Sequence, residues 1–107
     1  MSFPDFFTLE NKELDKLILC RGEDTISTDL EGETVIFDLA SGVYSGLDEV
    51  GTTIWILLEQ PKSFRDLCQG IMAQYAVKEE VCRRDLLVFL KDLGGKQLIT
   101  VKNGSAA

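Results

Sequence analysis

The chain has 107 residues, 45% hydrophobic and 27% charged, so one hydrophobic core is expected and global disorder is not. Its formal net charge of -7 disfavours nucleic acid as a partner, because a phosphate backbone requires a concentrated basic face. No signal-peptide pattern or span of apolar residues is present, so a soluble cytoplasmic protein without membrane contact is expected.

The amino-terminal part of the chain gives an ambiguous pattern, and three strands are predicted after it. Residues 1–23 are expected to form an extension, in which residues 13–20 fit either a short helix or a strand. Tight turns then separate β-branched and apolar segments at residues 25–29, 34–39 and 43–47. These segments predict an antiparallel meander.

Two helices are predicted next, each with a recognisable start. Asp48 can cap the first helix, which Pro61 ends, and Ser63 can cap the second. Trp55 lies on the first helix among apolar neighbours. We therefore expect it to be buried in the core rather than to stack on a ligand.

A third helix is predicted from about Lys78 to Leu93, where the pair Gly94-Gly95 can supply a left-handed C-cap. Residues 98–101 are then expected to pack back or pair with a strand, and residues 102–107 to form a flexible tail. The fold class is thus α+β. A three-stranded antiparallel sheet followed by three helices is winged-helix-like and would occupy residues 24–101.

Most catalytic and metal chemistry lacks the residues it needs. The chain contains no histidine and no Cys-x-x-Cys, so neither a histidine-based hydrolase nor a usual zinc site is indicated. The chain has three widely spaced cysteines, Cys20, Cys68 and Cys82. We expect them to be small buried side chains. We therefore expect no enzyme activity, no cofactor, no metal and no disulfide framework.

Two features could bind a ligand. The predicted third helix has a core face, and beside it lies a strip of mixed polarity formed by Val81, Arg84, Asp85, Val88 and Asp92. This strip fits a solvated face or the wall of a groove. The third strand, residues 43–47, can be an open edge, or one blunted by Gly46 or covered by a terminus. An open edge beside a groove would accept an extended peptide, although the sequence leaves open which alternate residues point outward.

A specific motif spans residues 35–55, which read VIFDLASGVYSGLDEVGTTIW. Its spacing is Gly-x-Tyr-x-x-Leu-Asp-x-x-Gly-x-x-Ile-Trp, and Asp85, Phe89, Leu90, Leu93 and Leu98-Ile99 follow later. In this order the residues resemble the PqqD family, named for coenzyme PQQ synthesis protein D, over roughly residues 24 to 101. One departure is that the family often has Gly before its final Leu, where this chain has Gln97.

The resemblance implies a peptide-recognition element of natural product biosynthesis, a peptide chaperone for ribosomally made and modified peptides. In that family the leader of a precursor peptide adds to the third strand and lies against the third helix. The domain presents it to a radical SAM enzyme, a leader peptidase or a cyclase. The contacts implied here come from Val43, Tyr44, Ser45, Gly46, Leu47, Val81, Arg84, Asp85 and Val88.

Two other functions stay open from the residues themselves. The first is a winged-helix-like regulator or a dimerisation module, of which a homodimer is the simplest form. The net negative charge disfavours a regulator that binds nucleic acid. A redox or metal protein that uses the three cysteines is the other.

Overall fold

The computed structural model describes residues 11–31 and 33–102, so the expectations for residues 1–10, and for all of the predicted 102–107 tail except Lys102, lie outside it. The described residues form four helices and six strands. In chain order they are α1 (Asn11–Lys16), β1 (Ile18–Arg21), β2 (Thr25–Leu30), β3 (Glu33–Asp38), β4 (Val43–Leu47), α2 (Glu49–Leu57), β5 (Lys62–Ser63), α3 (Phe64–Gln74), α4 (Glu79–Gly95) and β6 (Ile99–Lys102). The predicted α+β order, a meander and then three helices, is confirmed.

The predicted meander is the antiparallel sheet β2-β3-β4. Asp38 organises the turn into β4, because its carboxylate accepts hydrogen bonds from Ala40 N at 3.1 Å and Ser41 Oγ at 2.8 Å. Gly42 closes the turn with a φ of 74°, a left-handed conformation that favours glycine. This local chemistry fixes where β4 begins.

A second antiparallel sheet, β5-β1-β6, lies outside the predicted meander. The ambiguous segment 13–20 resolves into both alternatives, since α1 is followed by β1. Leu14 and Leu19 from these elements are buried. The expected strand pairing of residues 98–101 is confirmed, because β6 pairs with β1.

The predicted helix starts are confirmed at atomic detail. Asp48 Oδ1 accepts a hydrogen bond from Gly51 N at 2.8 Å, and Ser63 Oγ accepts one from Asp66 N at 3.0 Å. The three long helices share one core with both sheets, built from Leu19, Ile36, Ile54, Trp55, Phe64, Leu67, Leu86, Leu90, Leu93 and Ile99 among others. None of the described helices has the length and apolar character of a membrane span.

The end of α4 differs from the prediction. A left-handed C-cap at Gly94-Gly95 is wrong, because α4 continues through Gly95. Gln97 takes the left-handed conformation instead, with a φ of 62°. Gln97 N donates to Gly94 O at 3.0 Å and Leu98 N to Leu93 O at 2.9 Å, the two bonds of a Schellman motif.

Replacing Gln97 with glycine should raise the free energy of unfolding by about 1 kcal/mol, because glycine avoids the Cβ strain of a left-handed residue. Urea denaturation of the two proteins measures the difference. Gly42→Ala is the matched opposite, since it adds a Cβ at a φ of 74° and should destabilise by a similar amount. A lower urea midpoint for Gln97→Gly would contradict this interpretation of the turn.

Candidate functional site: an open sheet edge beside an apolar groove

The bonds that flank β3 determine which way its main-chain groups point. Leu39 N, just after β3, donates to Asp24 O at 2.8 Å, so Leu39 bonds toward β2. Thr34 N instead donates to Thr52 Oγ1 at 3.1 Å, beside the end of β4. Main-chain N–H and C=O groups point to alternate sides along an antiparallel strand. Those of Thr34, Ile36 and Asp38 therefore point toward β4.

The same alternation sets the orientation of β4. The register pairs Thr34, Ile36 and Asp38 with Leu47, Ser45 and Val43. The N–H and C=O groups of Val43, Ser45 and Leu47 therefore face β3, whereas those of Tyr44 and Gly46 point to the outer side. No strand of the described residues pairs with that outer side. Within residues 11–31 and 33–102, β4 is thus an open edge with two outward-facing residues.

An apolar groove of about 270 Å³ begins where β4 ends. It lies between the start of α2, the segment after α3 and the middle of α4. Its lining residues are Asp48, Val50, Gly51, Ile54, Ile71, Tyr75, Val77, Cys82, Asp85, Leu86 and Phe89. This volume is below that of a typical drug-sized ligand site, so it fits one or two peptide side chains better.

Gly51 brings α2 and α4 close together at the groove. A Cβ at Gly51 would lie 3.0 Å from Cε1 of Phe89 and 3.2 Å from Cβ of Leu47, so a larger residue would displace one of them. The N-cap bond from Gly51 N to Asp48 holds the start of α2 in place. The end of β4, the start of α2 and the ring of Phe89 are therefore one packed unit.

Two further contacts fix the groove. Thr52 Oγ1 lies 3.1 Å from Thr34 N and 3.5 Å from Leu47 O, so its hydroxyl joins β3 to the end of β4. Thr53 Oγ1 and the hydroxyl of Tyr75 share a hydrogen bond of 2.9 Å. This second bond connects α2 to the segment after α3 that forms the far wall.

The carboxylates of Asp48 and Asp85 give the groove its negative charge. Asp48 is engaged as the N-cap, whereas the described residues give Asp85 no hydrogen bond or ion pair. No Lys or Arg is among the lining residues. A cationic or hydrogen-bond-donating ligand group would therefore be favoured beside Asp85.

Cys82 contributes an apolar surface rather than a nucleophile. Burial raises the pKa of its thiol, and burial raises the pKa of the neighbouring Cys68 to about 12. Cys82 Sγ lies 3.7 Å from the carbonyl oxygen of Cys68. Both thiols are thus protonated near neutral pH. Among the described residues, no His, Cys, Asp or Glu side chains cluster as a metal site would require.

The structure places the predicted peptide-binding residues in two groups. The five residues Val43 to Leu47 form the open edge, with Tyr44 69% exposed and Leu47 buried. On α4, Asp85 lines the groove, whereas Val81, Arg84 and Val88 lie outside its lining. Their role in peptide binding stays a prediction.

Several groove residues were not predicted as site residues. The apolar spacing of Val50 and Ile54 on α2, and of Cys82, Leu86 and Phe89 on α4, is typical of a helix face in the core, and the same side chains also form the groove walls. The motif glycine at position 51 is the signal that could have indicated a close helix approach. Nothing in the local pattern around Tyr75 and Val77 indicates a groove wall.

The opposite edge of the same sheet, β2, is also unpaired within the described residues. By the same alternation, Thr25, Ser27 and Asp29 point their main-chain groups outward there. Neither β2 nor β4 itself lines the groove, but the lining begins at Asp48, the residue directly after β4. Of the two edges, only β4 leads directly into a side-chain groove.

Comparisons with known proteins agree with this geometry. The family described as Coenzyme PQQ synthesis protein D (PqqD) matches residues 33–99. The solved structure "TbiB1 in Complex with the TbiA(beta) Leader Peptide" matches with 36% sequence identity and a TM-score of 0.72, over 75% of this chain and 93% of that one. No protein of curated function matches. With its motif, its fold and a family match over most of its length, the chain belongs to the PqqD family.

Proposed function

We propose that the chain is a non-catalytic recognition module that binds the leader of a ribosomally made precursor peptide. The observation that carries this proposal is the open edge of β4, where Tyr44 and Gly46 direct main-chain donors and acceptors outward beside an apolar groove. The related TbiB1 structure, a complex with a leader peptide, supports it. Neither match favours the alternative of a winged-helix-like regulator.

Strand addition supplies most of the binding in this proposal. The leader pairs with Tyr44 and Gly46 through its own main chain, which gives affinity without strict sequence requirements. Side chains of alternate leader residues then lie on the side of the sheet that packs against α2. There they reach the groove and the polar strip with Arg84 and Asp85, which selects among leaders.

The bound leader is then presented to an enzyme that modifies the precursor, of the radical SAM, leader peptidase or cyclase class. The chain supplies the recognition step for that enzyme. A catalytic role is not part of this proposal, because burial raises the pKa of the groove thiol of Cys82 and the chain contains no histidine to act as its base.

A direct titration tests this function. The probes are the TbiA(β) leader and the leader of any short precursor peptide that is encoded beside the gene for this chain, each labelled with a fluorophore. We expect saturable binding to one site per chain, measured by anisotropy, for at least one probe. Absence of binding by both probes, or binding only to a dimer formed through β4, would contradict the proposal.

Charge reversal on α4 tests the helix side of the site. Asp85→Lys and Arg84→Glu should each weaken leader binding about two- to fivefold, with nearly unchanged melting temperatures, because both side chains are exposed. Asp29→Lys is the control for Asp85→Lys, since it makes the same charge change on the opposite edge of the sheet. Loss of stability with retained affinity would show that the face assignment is wrong.

A further inference from the structure

The outer face of the β2-β3-β4 sheet, opposite the helices, carries an apolar row that ends at the open edge. The register places Ile26, Phe37 and Tyr44 directly opposite one another across the three strands. The side chains of Thr34, Ile36 and Asp38 are buried on the inner face of the sheet. The three side chains of the row alternate with them and therefore lie on the outer face. Ile26 is 56% exposed and Tyr44 69% exposed.

Two of these side chains form a fixed pair at the edge. The ring centroids of Phe37 and Tyr44 lie 4.6 Å apart at an interplanar angle of 56°. The main-chain groups of Phe37 and Tyr44 point away from each other, so the two residues form a non-hydrogen-bonded pair. In such a pair the side chains of neighbouring antiparallel strands lie closest together. The ring of Phe37 therefore supports one side of the exposed Tyr44 ring.

A gap lies beside this ring on the same face. Gly46 has the same parity as Tyr44, and a Cβ there would meet no atom within 4 Å. Its partner across the sheet is Val35, a half-buried apolar residue. An aromatic side chain on a neighbouring strand can cover such an edge glycine.

We infer that Tyr44, Gly46 and Val35 form a second side-chain subsite, on the face of the sheet opposite the groove, that takes an aromatic residue of the leader. This inference rests on the proposed function, because only a strand added to β4 places a side chain there. The added strand extends the row of Ile26, Phe37 and Tyr44 by one position. Its next residue along the chain points to the other face, toward the groove.

The consequence is a rule for the leader sequence. A leader that is recognised only by the groove needs apolar residues at every second position, on the face that points to the groove. A leader that is recognised on both faces of the sheet also needs an aromatic residue at one of the intervening positions. Aromatic cross-strand pairs stabilise a sheet beyond the contribution of the main chain, so this residue adds affinity as well as selectivity.

A double-mutant cycle tests the subsite with the full chain. The protein variants are Tyr44→Thr, which keeps a strand-forming residue and the main-chain donor, and Tyr44→Phe. The probe is the leader that binds the wild type, prepared as a series in which each residue in turn is replaced by serine. Tyr44→Thr should bind the unaltered leader about three- to tenfold more weakly, and Tyr44→Phe like the wild type.

The coupling identifies the occupant. Serine at one aromatic leader position should weaken binding to the wild type three- to tenfold and leave binding to Tyr44→Thr unchanged. Serine at groove-facing positions should weaken binding to both proteins equally. Ile26→Thr is the matched control, because it replaces another exposed apolar side chain, at the far end of the same row, and this variant should bind normally.

Two results separate this inference from the function on which it rests. If Tyr44→Thr binds within twofold of the wild type, or couples to no aromatic leader residue, the subsite is overturned while strand addition stands. If Tyr44→Pro and Tyr44→Thr both bind like the wild type, strand addition at β4 is overturned and the subsite with it.

Discussion

Replacing Trp55 with alanine is expected to lower the free energy of unfolding by about 3 to 5 kcal/mol, the cost of deleting a large buried aromatic side chain. Trp55 is 2% exposed. Its Nε1 donates to Ser27 Oγ at 3.0 Å, and the guanidinium of Arg21 lies 4.5 Å from the ring centroid. Arg21 also donates to the carbonyl oxygen of Trp55. The indole thus joins β1, β2 and α2, and its removal leaves a cavity between both sheets.

Urea denaturation measures this loss, with Ile56→Ala as the control. Ile56 is the next residue on the same helix and is 58% exposed, so its truncation should change stability by less than about 0.5 kcal/mol. Trp55→Phe, which keeps most of the buried surface, should fall between the two variants. An unfolding midpoint for Trp55→Ala close to that of the wild type would refute the structural role of this residue.

The second large effect is expected at Tyr44. Proline there removes an N–H that points outward, so the sheet should remain folded while leader binding falls at least tenfold. The loss combines one main-chain hydrogen bond with the steric conflict of the proline ring against an added strand. Circular dichroism checks the fold, and titration with the labelled leader measures the affinity.

Proline at neighbouring positions provides the controls. At Ser45 it removes an N–H that faces β3, so folding itself should be impaired. At Asp29 of β2, proline removes an N–H that points away from the sheet. It should therefore disturb neither folding nor binding, because that edge adjoins no groove. A folded Tyr44→Pro variant that binds as tightly as the wild type would eliminate strand addition at β4.

The elements that depend on local chemistry could be predicted from the sequence. Asp48 and Ser63 cap helices through bonds to amides three residues later, and Gly42 supplies a turn conformation that few other residues adopt. The buried position of Trp55 follows from its apolar neighbours on one helix. Such signals lie within a few residues of one another, so the pattern alone contains them.

The remaining features depend on contacts between distant segments. β1 is defined by pairing with β6, about eighty residues later, and the two-residue β5 exists only as a partner of β1. Gln97 adopts a left-handed conformation because the Schellman bonds require one at its position. The groove escaped prediction because Phe89 and Leu86 look like ordinary core residues until Gly51 brings α2 against α4.

The most direct test of the account is a map of backbone amide shifts in the isotope-labelled chain as the leader is added. Strand addition at β4 predicts the largest changes in residues 43–47 and along α4, with the amides of Tyr44 and Gly46 protected from hydrogen exchange only in the complex. Changes confined to β2 or to the far side of the molecule, with the amides of Tyr44 and Gly46 unaltered at saturation, would contradict it.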